Sequence, residues 1–220
     1  AIAKAVKSFA PNRGELHLVG SGPGDIAFLT NDARFALSKS VIWIGYKLYL
    51  DLLEPLRSEQ QVRINSCLTE EQDRCKEALD LANQGVKVAL ISSGDSGIYG
   101  MAGLALELLL KQKINERPHF EVHPGISAFQ LAAARTGAPL MNDFCAISLS
   151  DLLTPWNKIE ERLVAAAQGD FVVAIYNPRS QHRQWQLMKA IEIFSKYRCT
   201  STPIACARQL GRSEEEIELY

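Results

Sequence analysis

Cysteines at metal-binding or disulfide spacing are missing from this sequence. Cys67, Cys75, Cys145, Cys199 and Cys206 are odd in number, scattered and free of any CxxC pair. That argues against a zinc ribbon or a disulfide framework and reads most of them as buried small hydrophobes. The four histidines are equally dispersed along the chain, and no metal site is readable. An excess of one charge is also missing, since 24 Lys and Arg against 25 Asp and Glu leave a formal net charge of −1. Nucleic acid, which normally calls for a strongly basic surface, is therefore not an expected partner. An acidic ligand would need a local cluster of Arg and Lys. No apolar run reaches the roughly 20 residues of a membrane-spanning helix. The best run, MAGLALELLL (101–110), is short and carries Glu107. The opening AIAKAVKSFA lacks the uninterrupted apolar core of a secretory signal, so the cytoplasm is the expected compartment and no membrane partner is expected. There is no repeat and no low-complexity tract. The sequence starts on Ala and closes on SEEEIELY, which reads as a charged run without a closing element, as expected of a fragment.

What is present alternates between short β-branched runs and longer helical ones. ELHLVG (15–20) reads as a buried strand, followed by a helix over 29–40 with Thr30 as N-cap and Asp32 in its first turn. VIWIG (41–45) is a second strand, and the helix that begins at YKLYLDLLEPL ends at Pro55. A helix over 69–85 has Thr69 as cap and Gly85 as stop. VKVALISS (86–93) is a strand, the next helix runs from near Gly97 to about Lys113, and FEVHP (120–124) is another strand. This half is βαβα, which implies a mostly parallel sheet covered on both faces. Pro124 and Gly125 mark a break. Beyond it come a helix (126–137), a strand (144–150), a helix (154–169) with Thr154 as cap and Pro155 first inside, a strand (170–178), a helix (185–198) and a final strand and loop (202–211). The fold class expected is α/β, in two α/β lobes: 14–123 and 124–220, with 1–13 as a linker or the tail of a preceding domain.

Four loops carry chemistry. HLVGSGPGDIAFLT (17–30) sits between a strand and a helix, as a dinucleotide loop does. The fingerprint fails, because its third glycine position falls on Asp25 and VIWIGY ends without an acid for a ribose. A Walker loop fails as well, since no Gly-Lys-Ser/Thr follows and Asp25 would repel a phosphate. The loop suits close backbone approach; a plain Gly-Pro turn with Asp25 as cap is the alternative. SSGDSGIYG (92–100) repeats the geometry, with Asp95 where a strand's carboxyl end opens, suited to ribose hydroxyls, a cation or a helix cap. In HPGISAF (123–129), Ser127 can cap the Ala-rich helix. IYNPRSQHR (175–183), with Arg208 and Arg212, is the most cationic stretch and is otherwise a solvated loop.

In this order and at these spacings, VGSGPGD, SSGDSGIYG, HPGISA and AIYNPRS resemble the loops of the tetrapyrrole methylases, from about residue 14 to the end. SGDSGIYGMA (93–102), GAPLMNDFCAISLSDLLTPW (137–156) and VAIYNPRSQHRQWQL (173–187) resemble the branch that methylates a precorrin at C17 with ring contraction in cobalamin biosynthesis. The resemblance implies two α/β domains with S-adenosylmethionine as cofactor in the cleft between them. It places Gly94, Asp95, Ile98, Tyr99, Ser127, Ala128, Tyr176 and Ala205 at the cofactor. Ser21, Pro23 and Asp25 would border the tetrapyrrole, with Asp25 bonding pyrrole N–H groups or assisting a proton transfer. Arg179, Arg183 and Arg208 would hold its acetate and propionate rim, because a guanidinium binds carboxylates bidentately. Arg135 is a weaker candidate for the same role. Ser150, Asp151 and His182 are the candidates for acid–base help in ring contraction. A homodimer is implied, and a fusion to a neighbouring cobalamin-pathway domain is compatible with the N-terminal segment. Alternatives are methylation of another precorrin or uroporphyrinogen carbon, a non-catalytic module of a fused enzyme and, as the weakest, a nicotinamide oxidoreductase.

Overall fold

The computed structural model describes residues 13–67, 70–181 and 183–220. The expected Thr69 cap, the candidate His182 and the segment assigned to a linker (apart from Arg13) lie outside the described residues. The chain divides into two compact units, one running to Leu131 and including Arg208–Glu216, the other made of Ala132–Ala207 and Ile217–Tyr220.

The first unit is built on five strands: β1 (Glu15–Gly20), β2 (Ile42–Tyr46), β3 (Val62–Ser66), β4 (Lys87–Ser92) and β5 (His119–His123). Their order is β3-β2-β4-β1-β5, and every pairing is parallel. Four helices connect them: α1 (Asn31–Lys39), α2 (Lys47–Leu53), α3 (Glu71–Asn83) and α4 (Ala102–Leu110). Alternate residues of the central strands feed two separate cores. Leu16, Leu18, Val88 and Leu90 pack with α3 and α4, while Val19, Ala89, Ile91 and Trp43 pack with α1 and α2. Each fully buried Leu or Ile contributes about 1.5–3 kcal/mol, and both buried clusters of this unit are built on the doubly covered sheet.

Local chemistry sets the helix ends. Thr30 caps α1 by accepting from the Ala33 N–H at 3.1 Å, as expected. Helix α4 begins at Ala102, five residues after the expected start at Gly97. Gly97–Met101 stay in a turn because their N–H groups bond locally, Gly97 to Asp95 Oδ1 at 2.8 Å, Ile98 to the Asp95 carbonyl at 3.3 Å and Met101 to Ser92 Oγ at 3.4 Å. Two glycines in this turn also disfavour helix. Strand β3 has no counterpart in the sequence reading. It is a five-residue edge strand with Val62 exposed, so the apolar alternation that signals a strand is absent.

The second unit contains β6 (Phe144–Ser148) and β7 (Val172–Tyr176), paired in parallel, with α6 (Trp156–Gln168) and α7 (Gln186–Ser195) packed on them. Helix α5 (Ala128–Arg135) spans the division between the units. Pro155 is the N-cap of α6 rather than its first residue, and no side chain caps it, so the expected Thr154 cap is not formed. A proline at the cap already supplies the extended backbone that leads into the helix. The closing SEEEIELY, expected to have no element, contains β9 (Glu216–Leu219), which pairs with β8 (Ala205–Arg208). Reciprocal bonds between Ile204 and Tyr220, each 2.9 Å, finish this antiparallel hairpin. The cysteines are less buried than expected. Cys75 is buried, whereas Cys67 beyond edge strand β3, Cys199 beyond α7 and Cys206 on the hairpin are exposed.

Candidate functional site

Adjacent strands β1 and β4 send their connections to opposite faces of the sheet, to α1 and α4. In open α/β sheets such a switch opens a crevice at the carboxyl ends of the strands. Three of the four loops singled out in the sequence meet there.

They meet backbone to backbone. Gly22 and Gly94 form a two-bond bridge, N–H to carbonyl at 3.1 and 2.8 Å. A Cβ on Gly125 would fall 2.1 Å from the Gly94 carbonyl oxygen, and one on Gly20 2.7 Å from the same oxygen. Gly20, read as part of a loop for close approach to a ligand, thus spends its room on Gly94 and Gly125. Their close packing is what brings the loops after β1, β4 and β5 to a single place. Asp95 locks the arrangement: Oδ1 accepts from the Gly97 N–H at 2.8 Å and Oδ2 from the Gly125 N–H at 2.9 Å. On the opposite side the Thr30 hydroxyl donates to the Pro124 carbonyl at 2.9 Å. Thr30 was expected only as a helix cap. Its second role has no local sequence signal, because Pro124 lies 94 residues away.

Ser127 was expected to cap α5, and only half of that capping box exists. Gln130 reaches back to accept from the Ser127 N–H at 2.8 Å. The Ser127 hydroxyl is buried and has no hydrogen-bond partner. An unmet buried hydroxyl costs about 1–3 kcal/mol, and Ser127 Oγ has hydrogen-bonding capacity that a bound polar group can use. The loop around it offers Ile98 and Tyr99, both exposed. Tyr99 holds φ +54°, an unusual conformation for a bulky residue of the kind that collects at ligand sites. Ala128 opens α5 half-buried beside Ser127. Ser21 and Pro23 are buried, whereas Asp25 is exposed and caps the 3₁₀ turn Ile26–Phe28 by accepting from Ala27 N–H at 2.7 Å. Gly24 packs tightly on the Gly211 turn, its Cβ position 2.6 Å from the Gly211 carbonyl. Arg208, in the same unit, is exposed and lies 3.4 Å from Glu216.

In the second unit the carboxyl ends of β6 and β7 form another polar cluster. Asn177, at φ +51°, donates its side-chain amide to Ser148 Oγ at 3.0 Å. Arg183 is buried: Nε donates to the Asn177 carbonyl at 2.8 Å and Nη1 to Ser150 Oγ at 3.3 Å. Its guanidinium therefore braces the loop that it was expected to project from. Asp151 accepts from the Gln186 amide at 3.0 Å. Arg179 and Ala205 are exposed, Tyr176 is half-buried, and Arg135 lies at the last turn of α5. Ser148 and Asn177 were not singled out as site residues.

The histidines, dispersed in sequence, are not all apart in space. Glu15 and His17 on β1 share one face with His119, Glu121 and His123 on β5, because parallel register sets 15 opposite 119 and 17 opposite 121. His17 and His123 touch, Nδ1 to Nε2, at 2.9 Å. Burial holds the His17 imidazole below its ordinary pKa, and contact with Glu15 partly opposes this.

A doubly covered parallel sheet with backbone-packed glycine loops at its carboxyl edge is the frame of an α/β enzyme that grips a small cofactor. The chain belongs to the tetrapyrrole (corrin/porphyrin) methylases, whose family model matches residues 15–219, and it is a methyltransferase. It is 47% identical over 201 residues to a probable cobalt-factor III C(17)-methyltransferase of Salmonella typhimurium, covering 91% of this chain and 82% of that one. A precorrin-3B C(17)-methyltransferase of a Sinorhizobium species is 42% identical over 93% of this chain and 80% of its own length. A cobalt-factor III methyltransferase of Priestia megaterium is 47% identical over 93% of this chain, which spans only 38% of that protein. Among solved structures, the methyltransferase CobJ superposes with a TM-score of 0.87 at 34% identity, over 94% of this chain and 86% of that one. A uroporphyrin-III C-methyl transferase of Thermus thermophilus, complexed with S-adenosylhomocysteine, has a TM-score of 0.68 at 21% identity and shares the fold.

Proposed function

We propose that this chain transfers a methyl group from S-adenosylmethionine to C17 of a precorrin-3B-type macrocycle, with or without cobalt, and promotes contraction of the ring. The observation that carries this reading is the 47% and 42% identity to C(17)-methyltransferases over more than nine-tenths of the chain. The fit of the cofactor rests on the buried, unpartnered Ser127 hydroxyl beside the Asp95-clamped loops. When bound, S-adenosylmethionine supplies an electrophilic methyl group and leaves as a neutral thioether. The protein's part is placement, since holding reactants in near-attack geometry can supply about 7–11 kcal/mol of a barrier. Gly94, Asp95, Ile98, Tyr99, Ser127 and Ala128 would hold the cofactor, and the unpartnered Ser127 Oγ would be available to its polar groups. Asp25, exposed at the end of the β1 loop, takes pyrrole N–H groups. Arg179 is better suited than Arg183 to a propionate, because it is exposed while Arg183 is committed to Asn177 and Ser150. A cytoplasmic homodimer belongs to the same reading, following the family resemblance. The test is incubation of the purified chain with S-adenosylmethionine and either precorrin-3B or cobalt-factor III, followed by mass spectrometry. A gain of one methyl on either macrocycle is expected, and no gain on both would refute the reading.

A further inference from the structure

The first unit also holds a centre in which two imidazoles face one another. His17 and His123 are 4% and 2% exposed. The outer nitrogen of each ring meets a carboxylate, Nε2 of His17 lying 3.1 Å from Glu15 Oε2 and Nδ1 of His123 2.8 Å from Asp32 Oδ2. Ionised carboxylates only accept hydrogen bonds, so when both rings are neutral each outer nitrogen carries the ring proton. The inner nitrogens, 2.9 Å apart, then present lone pairs to each other. That contact is repulsive unless a positive centre sits between them. Glu121 Oε2 stands 3.7 Å from each inner nitrogen and closes a triangle of two imidazole nitrogens and one carboxylate oxygen. Its side chain is half exposed, which gives an ion a way in.

We propose that His17 Nδ1, His123 Nε2 and Glu121 Oε2 bind a divalent ion of the Zn²⁺ or Co²⁺ class. Two imidazoles and a carboxylate are a donor set that such ions take. Metal–nitrogen bonds of about 2.0–2.1 Å bridge the inner nitrogens at roughly a right angle, and opening the pair by roughly 0.4 Å gives tetrahedral geometry. Glu15 and Asp32 act as outer partners that fix the tautomers and raise the basicity of the rings, as carboxylates behind metal-bound histidines do. Lys87 Nζ, 2.7 Å from the other oxygen of Glu15, balances that charge. The ion ties edge strand β5 to β1 immediately before Pro124 and Gly125. This site does not depend on the reaction assigned to the chain.

The test is calorimetric titration of Zn²⁺ alone into the chelator-stripped chain, repeated with Co²⁺ while the visible spectrum is recorded. One ion per chain is expected, with visible bands of imidazole-bound Co²⁺. Binding is lost in His123→Gln, and Asp32→Asn, which touches no ion, weakens it by about 10–100-fold. Glu121→Gln, at a half-exposed position, weakens it further and keeps the proposal open to test if His123→Gln fails to fold. Absence of binding, or unchanged affinity in Glu121→Gln, would overturn the site and leave a shared proton as what joins the two rings.

Discussion

At the scale of single residues, the two aspartates of the glycine loops do different work. Asp95 accepts from two backbone N–H groups in different loops, at Gly97 and Gly125, whereas Asp25 accepts from Ala27 within its own turn. Hydrogen bonds to a charged group are worth about 1.5–3 kcal/mol each. Asp95→Ala is therefore expected to weaken S-adenosylhomocysteine binding by about 10–100-fold, and Asp25→Ala to leave it nearly unchanged. Calorimetric titration of both variants decides, and equal losses would contradict the division. The thiols give a second expectation at this scale. Burial pushes the Cys75 thiol up to about 12, while the Ser201 hydroxyl, 3.1 Å away, holds Cys199 below its ordinary value. The thiolate is the reactive form, so Cys199 should react first with a thiol reagent at pH 8 and Cys75 only after unfolding. Mass mapping of a labelling time course checks the order; early modification of Cys75 in the native protein would contradict it. Residue types in the loops were legible in the sequence, but their partners were not. Ser127 reads as a cap, and only the three-dimensional position of Gln130 shows that its hydroxyl is left over.

At the scale of elements, the tight contact among Gly20, Gly94 and Gly125 makes the loops after three strands one structure. Gly125→Ala would drive a methyl group to 2.1 Å from the Gly94 oxygen, and overpacking of this kind costs about 1–3 kcal/mol. In a chain of this size each kcal/mol lowers the melting temperature by about 2–4 °C. Gly103→Ala is the control, since Gly103 lies inside α4 with nothing within 4 Å of the added carbon. It should stabilise by about 0.5–1 kcal/mol. Thermal melts that move the two variants in the same direction would contradict this account. The buried elements were the legible ones: β1, β2, β4 and α1 announce themselves by continuous or periodic apolar character. Strands β3 and β9 were missed because each lies at an edge or in a hairpin, open to solvent on at least one side. The pairing of His17 with His123 was missed for a different reason, since register between β1 and β5 joins positions 106 residues apart.

At the scale of the whole molecule, the order of the glycine loops carried more information than any loop alone. Taken singly, VGSGPGD resembles a failed dinucleotide turn; in sequence with SSGDSGIYG and HPGISA it marks the carboxyl edge of a parallel sheet, where the structure places all three. The α/β class, the parallel sheet and the methylase family were all legible in that order. The position of methylation is a finer matter. It rests on likeness to C(17)-methyltransferases, and the most direct measurement is therefore of the product. The chain is incubated with S-adenosylmethionine labelled with ¹³C at the methyl carbon and with precorrin-3B or cobalt-factor III, and the product is examined by carbon NMR. The account predicts a single labelled methyl bonded to C17 of a contracted ring; a labelled methyl on any other carbon, or an uncontracted product, would contradict it.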